Sequence, residues 1–215
     1  MTPEQLAAQL RCPHGEDADD VGLSMNRANG ALTLRSIALL DPAPGQRVLE
    51  IGPGNAAFAT QVVHHAPGVQ YTGLDLSAEM VEAATRLNRA LVDDGQATFV
   101  PGSAEQLPFA DASFERVFSV NTLYFWTPAE PCLHEIRRVI TPDGVLCLAF
   151  GHRDFMAALP FAAHGFTLYD EQDVTALLEA TGWQVAAIDE HLESVRSNTG
   201  ELVQRRMLIV RARPV

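Results

Sequence analysis

Basic side chains are scarce in this sequence. Lysine and arginine together number 15 against 27 aspartates and glutamates, a formal net charge of -12 at pH 7 over 215 residues. Such a field repels phosphate backbones and no basic stripe offsets it, so a nucleic-acid partner is not expected. Cysteine is equally thin: Cys12, Cys132 and Cys147 form an odd, widely spaced set that argues against a disulfide framework and against a zinc knuckle. No apolar run approaches the ~18 residues of a membrane span. The opening Met1-Thr2-Pro3-Glu4-Gln5, turning acidic by Glu16 to Asp20, has neither the basic start nor the apolar centre of a signal peptide. A cytoplasmic protein with no membrane partner is the expectation. Internal repeats and low-complexity segments are also missing. What remains is a globular composition, 47% apolar and 20% charged, sized for one domain with a substantial core.

The chain concentrates its pattern between Val48 and Asp75. Val48-Leu49-Glu50-Ile51 is followed by Gly52-Pro53-Gly54-Asn55-Ala56-Ala57, a helix-like segment to His65, and Tyr71-Thr72-Gly73-Leu74-Asp75. Two apolar runs separated by a glycine turn and a helix-length spacer read as a βαβ unit, and its closing acidic residue lies about 20 residues past the glycines. Gly52 and Gly54 lack a Cβ, so a ligand can lie against the backbone, while the next helix presents N–H groups and a positive dipole end to an anion. A carboxylate at the tip of the second strand can accept both hydroxyl hydrogens of a ribose. This is a nucleotide-binding geometry, and it leaves the cofactor open. Gly52, Gly54 and Ala57 fit a dinucleotide fingerprint; Glu50, Gly52, Gly54 and Ala56 resemble the first motif of class I S-adenosylmethionine-dependent methyltransferases.

The rest of the chain follows from periodicity. Glu4 to Leu10 and Val21 to Leu40 read as helices, the second broken at Gly30, and both precede the first strand. Ser77 is placed to cap a helix carrying Met80, Ala84, Leu87 and Leu91. Ala97 to Val100 and Phe114 to Val120 are the third and fourth strands. Thr127-Pro128-Ala129-Glu130 has the order of a capping box with proline at the first helical position. Thr141-Pro142-Asp143-Gly144 reads as a turn before a fifth strand, Val145 to Phe150. A helix from about Asp170 to Thr181, a strand from Trp183 to Ile188, a loop through Ser197 to Gly200 and a strand from Leu202 to Arg211 complete the chain, the last two strands pairing as a hairpin. Such alternation predicts an α/β sandwich.

From Pro101 to Phe114 the sequence reads Pro-Gly-Ser-Ala-Glu-Gln-Leu-Pro-Phe-Ala-Asp-Ala-Ser-Phe. With Glu50 to Ala56, Asp75-Leu76-Ser77 and Glu135 to Gly144, it closely resembles the small-molecule class I methyltransferases of the methyltransferase-11 type, over about residues 46 to 150. The resemblance implies a Rossmann-like three-layer α/β sandwich, with a seven-stranded, mostly parallel sheet ending in an antiparallel hairpin. It also implies one methyltransferase domain: an N-terminal helical cap (1–42), a cofactor-binding core (43–150), and a substrate-side insertion with the terminal hairpin (151–215).

The implied cofactor is S-adenosyl-L-methionine, leaving as S-adenosyl-L-homocysteine, and the implied partner is a small-molecule methyl acceptor. Carried over by position, Glu50, Gly52 and Gly54, with Asn55 in the same loop, border the methionine half, whose carboxylate meets backbone N–H groups. Asp75 holds the ribose hydroxyls, Leu76 and Met80 pack on the adenine, Ser103, Ala104 and Glu105 lie at its edge, and Asn121 lies near the sulfonium. Ala56 and Ser103 stand where the family usually has glycine and aspartate. The acceptor pocket falls to the cap and the insertion, with Met25, Asn26, Asn29, Tyr124, Trp126 and Phe155 as candidates.

Alignment and exclusion of water carry most of a methyl transfer, so no catalytic triad is needed. A hydroxyl or protonated amine acceptor needs a base, for which Tyr124, His152 and His164 are candidates. No metal is expected: His134-Glu135-Ile136-Arg137-Arg138 begins like a helical zinc motif, but Arg138 occupies the place of the second histidine. His64-His65, near a helix end, read as solvated or as compensating the helix dipole rather than as ligands. Two other readings stay open, a nicotinamide-dependent oxidoreductase and an S-adenosylmethionine-binding regulatory protein without transfer activity.

Overall fold

The computed structural model describes residues 1–196 and 202–215, and the loop expected at Ser197 to Gly200 lies outside the described residues. Seven strands form one sheet: β1 (Arg47–Ile51), β2 (Gln70–Asp75), β3 (Ala97–Pro101), β4 (Phe114–Val120), β5 (Ile140–Gly151), β6 (Trp183–Arg196) and β7 (Leu202–Pro214), in the order β3-β2-β1-β4-β5-β7-β6. The first five pair in parallel, while β7 runs antiparallel to both β5 and β6. The terminal strands form the expected hairpin, inserted so that its second strand is the inner one.

Adjacent residues of the strands feed opposite faces. Val48 and Leu49 are both fully buried, yet Val48 belongs to the buried cluster of Ile37, Val62 and Ile209, whereas Leu49 belongs to that of Leu133, Ile136 and Leu178. This double burial is why the central strands read as unbroken apolar runs. Helices α2 (Ala18–Leu40), α3 (Ala59–Val63) and α4 (Ala78–Leu87) cover one face, and α6 (Glu130–Val139) and α8 (Glu171–Ala180) the other. Each fully buried leucine or isoleucine at these contacts contributes roughly 1.5–3 kcal/mol. Among the described residues no helix is long and apolar enough to cross a membrane.

Several local expectations are corrected. Helix α2 continues through Gly30; an added Cβ there would stand 3.2 Å from the Phe58 ring, so the missing side chain lets the helix approach the glycine-loop segment. The helix after Ser77 ends at Leu87, and α5 (Arg89–Asp93) starts anew. At the break, the Asn88 amide donates to the carbonyls of Ala56 and Ala84. Thr127 does not cap α6: the N-cap is Ala129, and Pro131 occupies the first turn. Residues Thr141 to Gly144 lie within β5 as an irregularity in its pairing with β4 rather than as a separate turn.

Arg138 explains the histidine–glutamate string on α6. Its guanidinium bonds the carboxylates of Glu135 and Asp111 and the carbonyls of Leu107 and Phe109, and Glu135 accepts the Leu107 N–H. The loop after β3 is thereby fastened to a helix at the base of the site. At the other side, α1 (Pro3–Arg11) lies against the short turn Pro160–Ala163 of the segment after β5.

Candidate active site

A cavity of about 650 Å³ opens over the carboxyl ends of β1, β2, β3 and β4. β1 sits between β2 and β4, where strand order reverses, the position at which open α/β sheets bind ligands. Glu50, Gly52 and Gly54 reach it from β1, Asp75 and Leu76 from β2, Ser103, Ala104 and Glu105 from β3, and Asn121 and Tyr124 from β4. Met25, Asn26 and Asn29 of α2 close one side. The far end is apolar, walled by Phe125, Trp126, Phe155, Phe161 and Phe166, with Phe125 and Phe166 in edge-to-face contact at 4.6 Å between ring centroids.

The glycine loop is held by left-handed backbone at Gly52 (φ 72°), Gly54 (φ 59°) and Ala56 (φ 50°). Its N–H groups are turned inward: Gly52 donates to the Leu74 carbonyl, Gly54 to the Asp75 carboxylate at 2.8 Å, and Ala56 to the Pro53 carbonyl. The expected anion cradle is therefore largely spent within the loop. What the loop and strand ends face into the cavity is negative instead.

Glu50 accepts the Tyr71 hydroxyl at 2.6 Å and is 6% exposed; Asp75 accepts the N–H groups of Gly54 and Ser77 and is likewise 6% exposed. Burial raises the Glu50 pKa to about 7 and the Asp75 pKa to about 6, and neither carboxyl is ion-paired among the described residues. Two buried, uncompensated carboxyls suit a ligand bearing cations and hydroxyl donors, and oppose a pyrophosphate.

Ala56 shows how an atypical residue is tolerated. A left-handed alanine is strained by about 1–2 kcal/mol, but its methyl is 2% exposed, and burying one carbon returns about 0.8 kcal/mol. Ala56→Gly should therefore shift unfolding stability by less than about 1 kcal/mol, while Ala56→Val, β-branched and overpacked, should cost roughly 3 kcal/mol or more. Urea melts of both variants check this; a strongly stabilised glycine variant would refute the offset.

Other candidates fall outside the cavity wall. Met80 is fully buried beneath α2, its sulfur 3.3 Å from where a Cβ on Gly22 would lie, so it packs against the cap helix and not on the cavity. Asn55 accepts from the Asn26 amide at 2.9 Å and holds that residue in place. His152 is 4% exposed, caps α7 (Arg153–Met156), and lies between Glu171 and Arg206, away from the cavity. His164 lies in a separate recess beside α1. Tyr124 does reach the cavity, but its hydroxyl donates to Asn121 at 2.9 Å and accepts the Gly151 N–H. Burial also pushes its pKa up, so it is poorly suited to act as a base.

Asn121 (φ 59°) donates in turn to Asn29 at 3.0 Å, linking the loop after β4 to α2. Ser103 accepts the Glu105 N–H, a local turn that leaves its side chain at the cavity. Arg205 and Met207, which also line the cavity, escaped the sequence reading. The signal available was parity: both share a face of β7 with buried Ile209, but nothing local says that this face reaches the glycine loop.

This geometry is that of an α/β protein with a ligand-sized cavity at the switch point of its sheet. A family model described as a methyltransferase domain matches residues 49–148. A demethylmenaquinone methyltransferase of Beutenbergia cavernae is 32% identical over 187 residues, spanning 83% of this chain and 73% of that one. O-methyltransferase resE of Aspergillus sclerotiorum is 29% identical over 180 residues, spanning 80% and 68%. The chain belongs to the methyltransferase-domain family and is an S-adenosylmethionine-dependent methyltransferase. Among solved structures, the complex between the Haloferax volcanii Trm112 methyltransferase activator and a putative methyltransferase aligns with a TM-score of 0.77 at 20% identity, over 98% of both chains. The [4+2]-cyclase SpnF aligns at 0.68 and 16% identity, over 85% of this chain and 80% of that one, a likeness of fold alone. The oxidoreductase reading of Gly52, Gly54 and Ala57 is displaced by the family and by the inward-turned loop.

Proposed function

We propose that the protein transfers a methyl group from S-adenosyl-L-methionine to an oxygen of a small, largely apolar molecule. The observation carrying this reading is one cavity with two buried, unpaired carboxyls at one end and an aromatic wall at the other. The names of relatives such as resE support oxygen as the accepting atom.

Bound there, the cofactor supplies a methyl already activated on a sulfonium. Asp75 accepts from the ribose hydroxyls with lone pairs left by its two N–H bonds. Glu50 offsets positive charge on the methionine half, Leu76 covers the adenine, and Ser103 to Glu105 bound its edge. Asn121, held between Tyr124 and Asn29, orients the reacting centre. The cap (1–42) and the segment 151–215 close over the core (43–150), and Met25, Asn26, Asn29, Trp126 and Phe155 exclude water and align the acceptor.

Both carboxyl pKa values are raised, so protonated forms populate near neutral pH before binding. A cationic cofactor favours the ionised forms and drives protons off. Affinity for S-adenosylhomocysteine, which keeps an ammonium, should therefore rise between about pH 5.5 and 7.5 and then level, with S-adenosylmethionine showing the steeper rise. In the free protein the same shifts act oppositely: the folded chain holds protons that the unfolded chain has lost, so this contribution to stability declines as pH rises from about 4 to about 7. Calorimetry across pH, in buffers of different ionisation heat, tests both. Affinity that rises on acidification, or binding of NAD alone, would refute the assignment. Binding with no transfer to any of a broad acceptor panel would return the regulatory alternative.

A further inference from the structure

Among the described residues, the aromatic end of the cavity offers no free basic side chain to take a proton from a substrate. The chain contains no lysine, and none of its seven histidines lines the cavity. Tyr124 is engaged through its hydroxyl, and burial pushes the Cys132 thiol up to about 12. Of the lining carboxylates, Glu50, Asp75 and Glu105 sit on the strand ends assigned to the cofactor, and Asp17 and Asp20 are exposed at the start of α2. A neutral alcohol held against the aromatic wall would meet no base there.

One cation does face the aromatic end. Arg205 lies over the Phe155 ring at 5.8 Å, and its Nη1 donates to the Ala28 carbonyl at 2.6 Å and lies 3.3 Å from Glu193. That fixes the guanidinium, while its Nε and Nη2 have no hydrogen-bond partner among the described residues. Arg11, the other basic lining residue, belongs to α1 and is exposed.

Resting on the methyltransferase reading of this cavity, we propose that the acceptor is an apolar molecule carrying a carboxylate or a comparably acidic oxygen acid, received already ionised and held by Arg205. An anionic oxygen needs no base. It forms its bond to the methyl carbon as the carbon–sulfur bond breaks, sulfur keeps the electron pair, and no proton moves. The product, a neutral ester, loses its attraction to the guanidinium, which favours release.

The test uses the full chain saturated with S-adenosylhomocysteine and a matched pair of probes, decanoate and decan-1-ol, followed by calorimetry at neutral pH. Decanoate is expected to bind at least tenfold more tightly than decanol. Arg205→Gln should weaken decanoate about tenfold or more and leave decanol within about twofold; Arg205→Lys should fall between, since it keeps the charge but not the fork. Glu193→Gln, which removes a competing carboxylate, should strengthen decanoate binding. Unchanged S-adenosylhomocysteine affinity in each variant reports an intact fold and cofactor site. Equal binding of the two probes, a carboxylate preference that survives Arg205→Gln, or no decanoate binding to the cofactor-loaded protein would overturn the proposal and leave the methyltransferase reading standing. Failure to bind S-adenosylhomocysteine at all would remove both.

Discussion

Gly52→Ala is expected to cost roughly 2 to 5 kcal/mol of folding stability and to weaken cofactor binding strongly. Two separate penalties add. Gly52 has φ 72°, a left-handed conformation costing an alanine about 1–2 kcal/mol, and the new Cβ would stand 2.3 Å from Thr122 Cγ2. Thr122 has little room to yield, because its hydroxyl is bonded to Ser119, which also donates to the Ile51 carbonyl. The loops after β1 and β4 would be forced apart at the point where both line the cavity. Adding Thr122→Ala should restore the steric part and leave the backbone part, so the double variant should recover about half of the loss. Urea unfolding of the four proteins measures this. Gly52→Ala with wild-type stability would mean that the approach of the two loops is not a constraint.

Asp75→Ala is expected to lower S-adenosylhomocysteine affinity by roughly tenfold to several hundredfold and stability by about 1–3 kcal/mol. The carboxylate joins the tip of β2 to the glycine loop through Gly54 and to the start of α4 through Ser77. Its removal strands two buried N–H groups as well as the ligand's hydroxyls, although relief of a buried charge offsets part of the stability loss. Asp75→Asn separates the effects, since the amide oxygen can serve one N–H but not both. Calorimetry at about pH 7.5, where the wild-type group is ionised, reads the affinity; an unchanged value for Asp75→Ala would remove Asp75 from the cofactor site.

Much of this architecture was legible from local pattern. Apolar runs such as Val48 to Ile51 marked the strands because both faces of the sheet are covered, and Ser77 capped its helix as its type and position indicated. The pairing of β6 with β7 followed from the short connection between them. Thr127 misled because the capping order of residues is common, while the actual start of α6 is set by packing of Leu133 and Ile136 against the sheet. Met80 misled for a related reason: spacing puts it on the buried side of α4 but cannot say whether cofactor or cap helix lies there, and Gly22 leaves the space that it fills.

That Glu50, Gly52, Gly54, Asp75 and Ser103 to Glu105 meet at one end of a cavity was readable because strand tips and turns keep residue type and spacing within about 60 consecutive positions, Glu50 to Glu105. The aromatic end was not. Its walls meet from α1, α2, the segment after β5 and the far half of β7, stretches separated by most of the chain, and their contacts depend on β7 entering between β5 and β6. Residue type alone nominated His152 and His164, which packing places elsewhere, and passed over Arg205, which packing places in the cavity. Short-range periodicity and turn chemistry act within a helix or a βαβ unit; the relative placement of distant elements is set by burial of their apolar faces, and that decided which side chains line the aromatic end of the cavity.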